Sequence, residues 1–266
     1  MNQYTEDNII NTGWHQFIYG YNTKERTNFL KEITVHHPIT LNRDCPQAIY
    51  IDNFSLPIID SKYVVDNGLL KILSRNYFDF TLYYQLLSEL LKSDCCNKLN
   101  GRDEIFLEYV NRLIINDGFD KIQSLESLKD CLLQAKNFYQ EKYISLLTGT
   151  DFKKDIDDLI ISSIFMGERY IKKFKEMINN KSYFVVIIDH KNSIPLISTQ
   201  AINGYISMRC TADISMKIAC DPSEWSSYYD LGGNFIENPH DYSIIELDQS
   251  LKEYTRIKKE KFYNKL

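Results

Sequence analysis

The segment Trp14–Ile33, WHQFIYGYNTKERTNFLKEI, constrains the fold most. An apolar run, Gln16–Tyr19, stops at Gly20, and apolar residues at helical spacing resume from Thr23 to Ile33. The pattern predicts a strand, a tight turn and a helix. A strand-end glycine followed by a helix N-terminus lets backbone N–H groups gather around an anion. The motif that exploits this arrangement is G-x-x-x-x-G-K-[ST]. The aligned residues here are Gly20, Tyr21, Asn22, Thr23, Lys24, Glu25, Arg26 and Thr27. The first glycine and the closing threonine are in place, while Glu25 stands at the second glycine and Arg26 at the lysine. Candidate contacts to a nucleotide such as ATP are Gly20, Asn22, Lys24, Arg26 and Thr27. The Thr27 hydroxyl is also a candidate Mg2+ ligand. Arg26 keeps the positive charge, but its planar fork is no replica of a compact ammonium. Glu25 brings bulk and a charge that repels phosphate. A strand-turn-helix without any ligand is the other reading of the same segment.

Further strands are expected at Ala48–Ile51, Tyr183–Asp189, Ile214–Cys220 and Tyr242–Leu247, each a short run rich in Ile, Val, Phe or Tyr. Several are apolar throughout, as strands covered on both faces are. Helical stretches at Thr23–Ile33 and Gln200–Met208 alternate with them. The expected class is α/β: a mostly parallel five-stranded sheet flanked by helices, of the P-loop NTPase type. From about Tyr63 to Asn180 the alternation stops. Apolar residues recur at three- and four-residue spacing in Phe80–Leu91, Ile105–Ile115, Leu125–Leu147 and Ile156–Ile178. This predicts a large all-helical insertion between the second and third strands. The expected domains are an α/β core from 1–62 and 181–248, the insertion over 63–180, and a basic C-terminal helix over 249–266. That helix reads as a solvated face, a partner-docking element or a nucleic-acid contact.

The second candidate motif is YFVVIIDHKNS, Tyr183 to Ser193. An apolar strand with an acid at its tip is the form that holds Mg2+ opposite a phosphate loop. Asp189 takes that role and ranks above Asp52, which closes the second strand too close to Gly20. Nucleotide hydrolases often place another acid next, where this chain has His190. A neutral histidine can accept a proton, which makes His190 the candidate catalytic base steering water. Trp225, Tyr228 and Tyr229 follow an Asp-Pro turn, and either pack in the core or stack on a base.

Composition narrows the class further. The chain has 266 residues, 44% hydrophobic and 25% charged, which suits a globular protein with an ample core. A net charge of −5 gives no overall attraction to polyanions. No apolar run reaches the length of a membrane span, and MNQYTEDNII lacks the form of a secretion signal, so a cytoplasmic protein is expected. The six cysteines form no C-x-x-C pair and are expected to be reduced and mostly buried. His36 and His37, as neighbours on an extended segment, should face opposite ways and share no metal. No G-x-S-x-G or G-x-G-x-x-G occurs.

Taken with the loop after the first strand and the acid after a later one, YFVVIIDHKNSIPLISTQAINGYISMRCTADISMKIAC and PHDYSIIELD resemble the AAA+ ATPases. The likeness is to bacterial proteins related to the origin-recognition ATPases, and spans about Trp14 to Asp248. Gln200, Asn203, Arg209 and Lys217 fit that style. The resemblance implies ATP and Mg2+ as ligands, a protein partner or a homo-oligomer, and nucleic acid reached through a partner or through the basic tail. It also suggests a bacterial mobile-element or phage-defence setting. Four stations depart from the pattern. The loop loses its glycine and lysine, and His190 replaces an acid. No arginine stands between Asp221 and Tyr242 to act as a finger, and eighteen residues after Asp248 leave no room for a helical lid. Each departure weakens phosphoryl transfer, and an arginine finger alone is worth about 10³-fold or more. A pseudoenzyme that binds ATP weakly or not at all is therefore expected, with an atypical active ATPase and a nucleotide-free interaction module as alternatives.

Overall fold

The computed structural model describes residues 3–20, 22–52, 54, 56, 67–93, 98–114, 121–149, 169–190, 195–207 and 213–247. Two compact units divide the chain. The first takes its described residues from 1–38, 46–54 and 182–266, the second from 39–45 and 55–181.

The first unit opens with a helix, α1 (Gln3–Ile10), then β1 (His15–Tyr19), α2 (Thr23–His36) and β2 (Gln47–Asp52). The second unit carries α3 (Asn67–Lys92), α4 (Arg102–Ile114), α5 (Leu125–Thr148) and helical residues 169–178, here α6. The chain then returns to the first unit with β3 (Phe184–Asp189), α7 (Leu196–Ser207), β4 (Ile214–Cys220) and β5 (Tyr242–Glu246). All five strands pair in parallel, in the order β2-β3-β4-β1-β5. The expected α/β class and five-stranded sheet are thus observed. β3 and β4 are buried at every position, as strands with neighbours on both sides and cover on both faces must be, whereas edge strand β5 is half open.

Side chains alternate across the sheet, so each strand feeds two layers. Ile18, Val185, Ile187 and Ala219 point to one face, where Ile9 and Ile10 of α1 and Phe29, Leu30 and Ile33 of α2 cover them. Phe17 points to the other, where Trp225, Tyr228 and Tyr242 surround it at ring separations of 5.0, 5.7 and 4.7 Å. Asn203 on α7 ties that layer down by donating to the carbonyls of Ser227 and Tyr229.

Lys217 lies wholly buried in β4. Its Nζ donates to the Thr12 and Trp14 carbonyls at 2.9 and 2.8 Å and to Gln16 Oε1 at 2.7 Å. Burial pushes its pKa well below the usual lysine range. Three oxygen acceptors match the three N–H bonds of an ammonium and oppose that loss. The residue therefore stitches the α1–β1 connection to the sheet. His15 continues the ladder by accepting the Met216 N–H on Nδ1 at 3.0 Å.

α1 has no counterpart among the expected elements, and the histidine pair departs from the expected extended segment. His36 ends α2 and His37 is its C-cap, at φ −124° and ψ 54°, so the pair sits at a helix end rather than on an extended segment. Both rings reach the same Glu6 oxygen, at 2.9 and 3.4 Å, tying α1 to α2. Among the described residues no group of three His, Cys, Asp or Glu side chains could hold a metal. Of the described cysteines, Cys45 is exposed, Cys131 half-buried and Cys220 buried, and all three are free. Cys95, Cys96, Cys210, Arg209 and the tail 249–266 lie outside the described residues, as does most of the Ile156–Ile178 helix.

In the second unit α3 packs along α5, and aromatic contacts form its centre. Phe80 stacks on Tyr139 at 5.3 Å, and Tyr83 and Phe106 meet Tyr170 at 4.3 and 5.3 Å. α5 is bounded by chemistry legible in sequence: a Ser124–Ser127 capping box and a left-handed Gly149 with φ 74°. Among the described residues, no helix is long and apolar enough to cross a membrane.

Candidate functional site

β1 and β3 flank β4 and run parallel to it, so their C-terminal tips lie at one edge of the sheet, and α2 follows the tip of β1. Their junction gathers Gly20, Arg26, Thr27, Tyr50 and Asp189. Asp189 is fully buried and accepts three hydrogen bonds. Arg26 Nε donates to Oδ1 at 3.1 Å, while the Thr27 and Tyr50 hydroxyls donate to Oδ2 at 2.5 and 2.7 Å. Arg26 is 1% exposed. Its Nη1 donates to the Gly20 carbonyl at 2.6 Å and its Nη2 to the His190 carbonyl at 2.5 Å. One guanidinium thus joins the tips of β1 and β3 to the start of α2, using the fork geometry that only arginine offers. Tyr50 belongs to no sequence motif and joins the site from β2. Burial, then the adjacent Asp189, push its phenol above the usual tyrosine range, so it stays a donor.

The remaining loop residues sit differently. α2 begins at Thr23, so residues 20–22 alone separate it from β1. Asn22 is the N-cap. Its side chain accepts the Glu25 N–H at 3.2 Å, and its carbonyl accepts the Arg26 N–H at 3.0 Å. Lys24 and Asn22 are exposed, and Glu25 is half-buried in the first turn. Asp52, in register with Asp189 on the neighbouring strand, lies at the surface 3.9 Å from Lys31.

His190 follows Asp189 directly and therefore faces the other side of the sheet. Its ring packs against Trp225 at 5.9 Å, in the layer of Phe17, and neither ring nitrogen has a hydrogen-bond partner. Burial, then the Arg26 cation, lower its pKa to about 3, which leaves a neutral ring and a feeble base. The structure brings Thr27 and Asp189 together with Arg26 and Gly20. It sets His190's ring apart from them, across the sheet. Trp225 is buried, and Tyr228 meets the Tyr19 hydroxyl at 3.0 Å. Tyr229 is exposed against Phe235.

These groups can be weighed against the Mg-ATP that the loop frame implies. The Thr27–Asp189 contact suits a cation site, because the hydroxyl keeps lone pairs free. The rest does not fit. Arg26 fills the carboxylate's other oxygen with a fixed positive charge and is turned inward, away from any phosphate. The Glu25 N–H is taken by Asn22, so the first turn of α2 has lost one of the donors an anion would need. As arranged, the site is complete without a ligand.

No curated protein and no solved structure matches the chain. A family profile described as ORC-CDC6-like matches residues 65–266, about three quarters of the sequence. The match takes in the helical unit, β3, β4 and β5, and starts after the loop that holds Gly20 to Thr27. With the strand order of an AAA+ core, it places the chain in the ORC-CDC6-like family of AAA+ origin-recognition-type ATPases.

Proposed function

We propose that this chain is a non-hydrolysing AAA+ family member that serves as a regulatory or scaffolding subunit. AAA+ proteins generally bind ATP with Mg2+ and assemble into oligomers. The observation that carries the reading is Arg26. Its guanidinium spends three donors on Asp189, Gly20 and His190, and so locks the junction where a nucleotide would act. The absence of any arginine between Asp221 and Tyr242 and the buried, near-nonbasic His190 support the same reading. The partner we expect is another protein or another copy of the chain, with nucleic acid reached through it or through the tail 249–266. A bacterial mobile-element or defence locus as the setting, and a cytoplasmic location, rest on resemblance alone.

The test is thermal. A ligand at a hundred times its dissociation constant adds about 2.7 kcal/mol. Millimolar Mg-ATP or Mg-ADP is expected to leave the melting midpoint unchanged, with no phosphate released above the protein-free rate. A clear upward shift sinks the closed-site reading. A shift accompanied by phosphate release replaces it with an atypical ATPase, in which Arg26 swings outward and Thr27 and Asp189 receive the cation.

A further inference from the structure

The helical unit holds a groove built from its own residues alone. α4 and α6 flank a groove of about 370 Å³. Its floor is apolar: Phe106 and Met177 line it, each about 2% exposed. Ile105 stands at the lip, 69% exposed. Tyr109 lines one wall, and its hydroxyl, shielded from solvent, has no hydrogen-bond partner.

The rim is charged unevenly. Arg112 pairs with Glu108 at 2.8 Å and Lys173 with Glu176 at 2.5 Å, each within one helix and open to water. Such pairs hold their partners weakly. Arg102 differs. Its Nε donates to the Leu99 carbonyl at 3.0 Å, which fixes the guanidinium, and it has no acidic partner among the described residues. Arg169 and Lys173 add positive potential at the Tyr109 phenol. The groove therefore offers an exposed aliphatic lip at Ile105 and an oriented cation with two nitrogens to spare.

We propose that this groove receives a short peptide segment of a partner protein, anchored by a large apolar side chain and carrying a carboxylate that pairs with Arg102. Charge complementarity selects that occupant. An apolar anchor packs on the exposed Ile105 at the lip of the groove, and a carboxylate meets the guanidinium fork bidentately. A nucleic-acid strand suits the groove less well. Glu108 and Glu176 would repel a continuous phosphate chain, and Phe106 is too deep for a base to stack on.

The full chain tests this by selection from a library of random short peptides displayed on phage, with counter-screening on two variants. Arg102→Glu reverses the cation, and Ile105→Asp changes a side chain so exposed that the fold does not depend on it. Enriched peptides are expected to combine an acid with Leu, Phe, Ile or Trp, and to lose about tenfold or more in affinity for either variant. Both variants should melt with the wild type. No enrichment, enrichment without an acid, or equal binding to Arg102→Glu overturns the proposal. An oligothymidine probe run in parallel covers the competing ligand: Arg102-dependent binding of it, without peptide enrichment, makes the groove a nucleic-acid contact instead.

Discussion

Arg26→Ala is expected to destabilise the first unit by about 3 to 5 kcal/mol, the usual cost of stripping one partner from a buried ion pair. Asp189 would keep its Thr27 and Tyr50 donors but lose its compensating charge, and the Gly20 and His190 carbonyls would lose their donors. In a unit of this size the midpoint should fall by on the order of 10 °C or more. Tryptophan fluorescence reads that unit selectively, because the chain's two tryptophans, Trp14 and Trp225, both belong to it. Arg26→Lys should recover part of the loss, since an ammonium can meet Asp189 but cannot span all three acceptors. A cycle with Asp189→Asn separates the ion pair from the carbonyl contacts. If Arg26 instead points outward to capture phosphate, Arg26→Ala should melt with the wild type in the absence of nucleotide. That outcome sinks the picture of a self-completed junction.

Acid should unfold the same unit from a different direction. Burial, then the Lys217 cation, lower the pKa of His15 to about 4, against a smaller opposing pull from Asp241. Burial and Arg26 lower that of His190 to about 3. A histidine in an unfolded chain titrates near 6.5. Both folded values are depressed, so the unfolded state binds more protons below about pH 6.5. The stabilisation from keeping these rings neutral is complete above that pH and is lost as the pH falls toward 4 and 3. By pH 5 the loss amounts to about 2 kcal/mol for each ring. The tryptophan-monitored midpoint should therefore drop on the order of 10 °C between pH 7.5 and pH 5. His190→Leu, which removes one titrating ring that makes no hydrogen bond, should halve the dependence. A midpoint that stays level across that range contradicts the buried, neutral state of both rings.

Much of this fold was legible from apolar runs. The five expected strands differ from the observed ones by at most a residue at either end, because buried parallel strands announce themselves as unbroken Ile, Val and Phe. The expected helical stretch Leu125–Leu147 also matches α5, Leu125–Thr148, to within one residue. α7 starts four residues earlier than Gln200, since its first turn, Leu196 to Thr199, mixes apolar and hydroxyl residues without a clear period. α1 was missed because its polar stretch, QYTEDN, hides the two residues that anchor it, Ile9 and Ile10.

The site was only half legible. Motif spacing pairs Thr27 with Asp189, but a motif carries no direction for Arg26. Whether a guanidinium reaches out to a ligand or folds back on carbonyls is decided in three dimensions. The separation of His190 from Asp189 was available in principle, because adjacent strand residues alternate faces. Tyr50 could have been found the same way, as the residue that β2 presents on the Asp189 face, but that requires knowing that β2 lies beside β3.

The place of β1 in the sheet has a practical corollary. The recognisable family block starts at residue 65, yet β1 is wedged between β4 and β5, and β5 has β1 as its neighbour in the strand order. A fragment cut to that block would leave β5 unmoored and the inner flank of β4 bare, an invitation to edge-to-edge aggregation. The sixty-four residues outside the matched block therefore supply the keystone of the sheet, and the portion that looks familiar is not the portion that can stand alone.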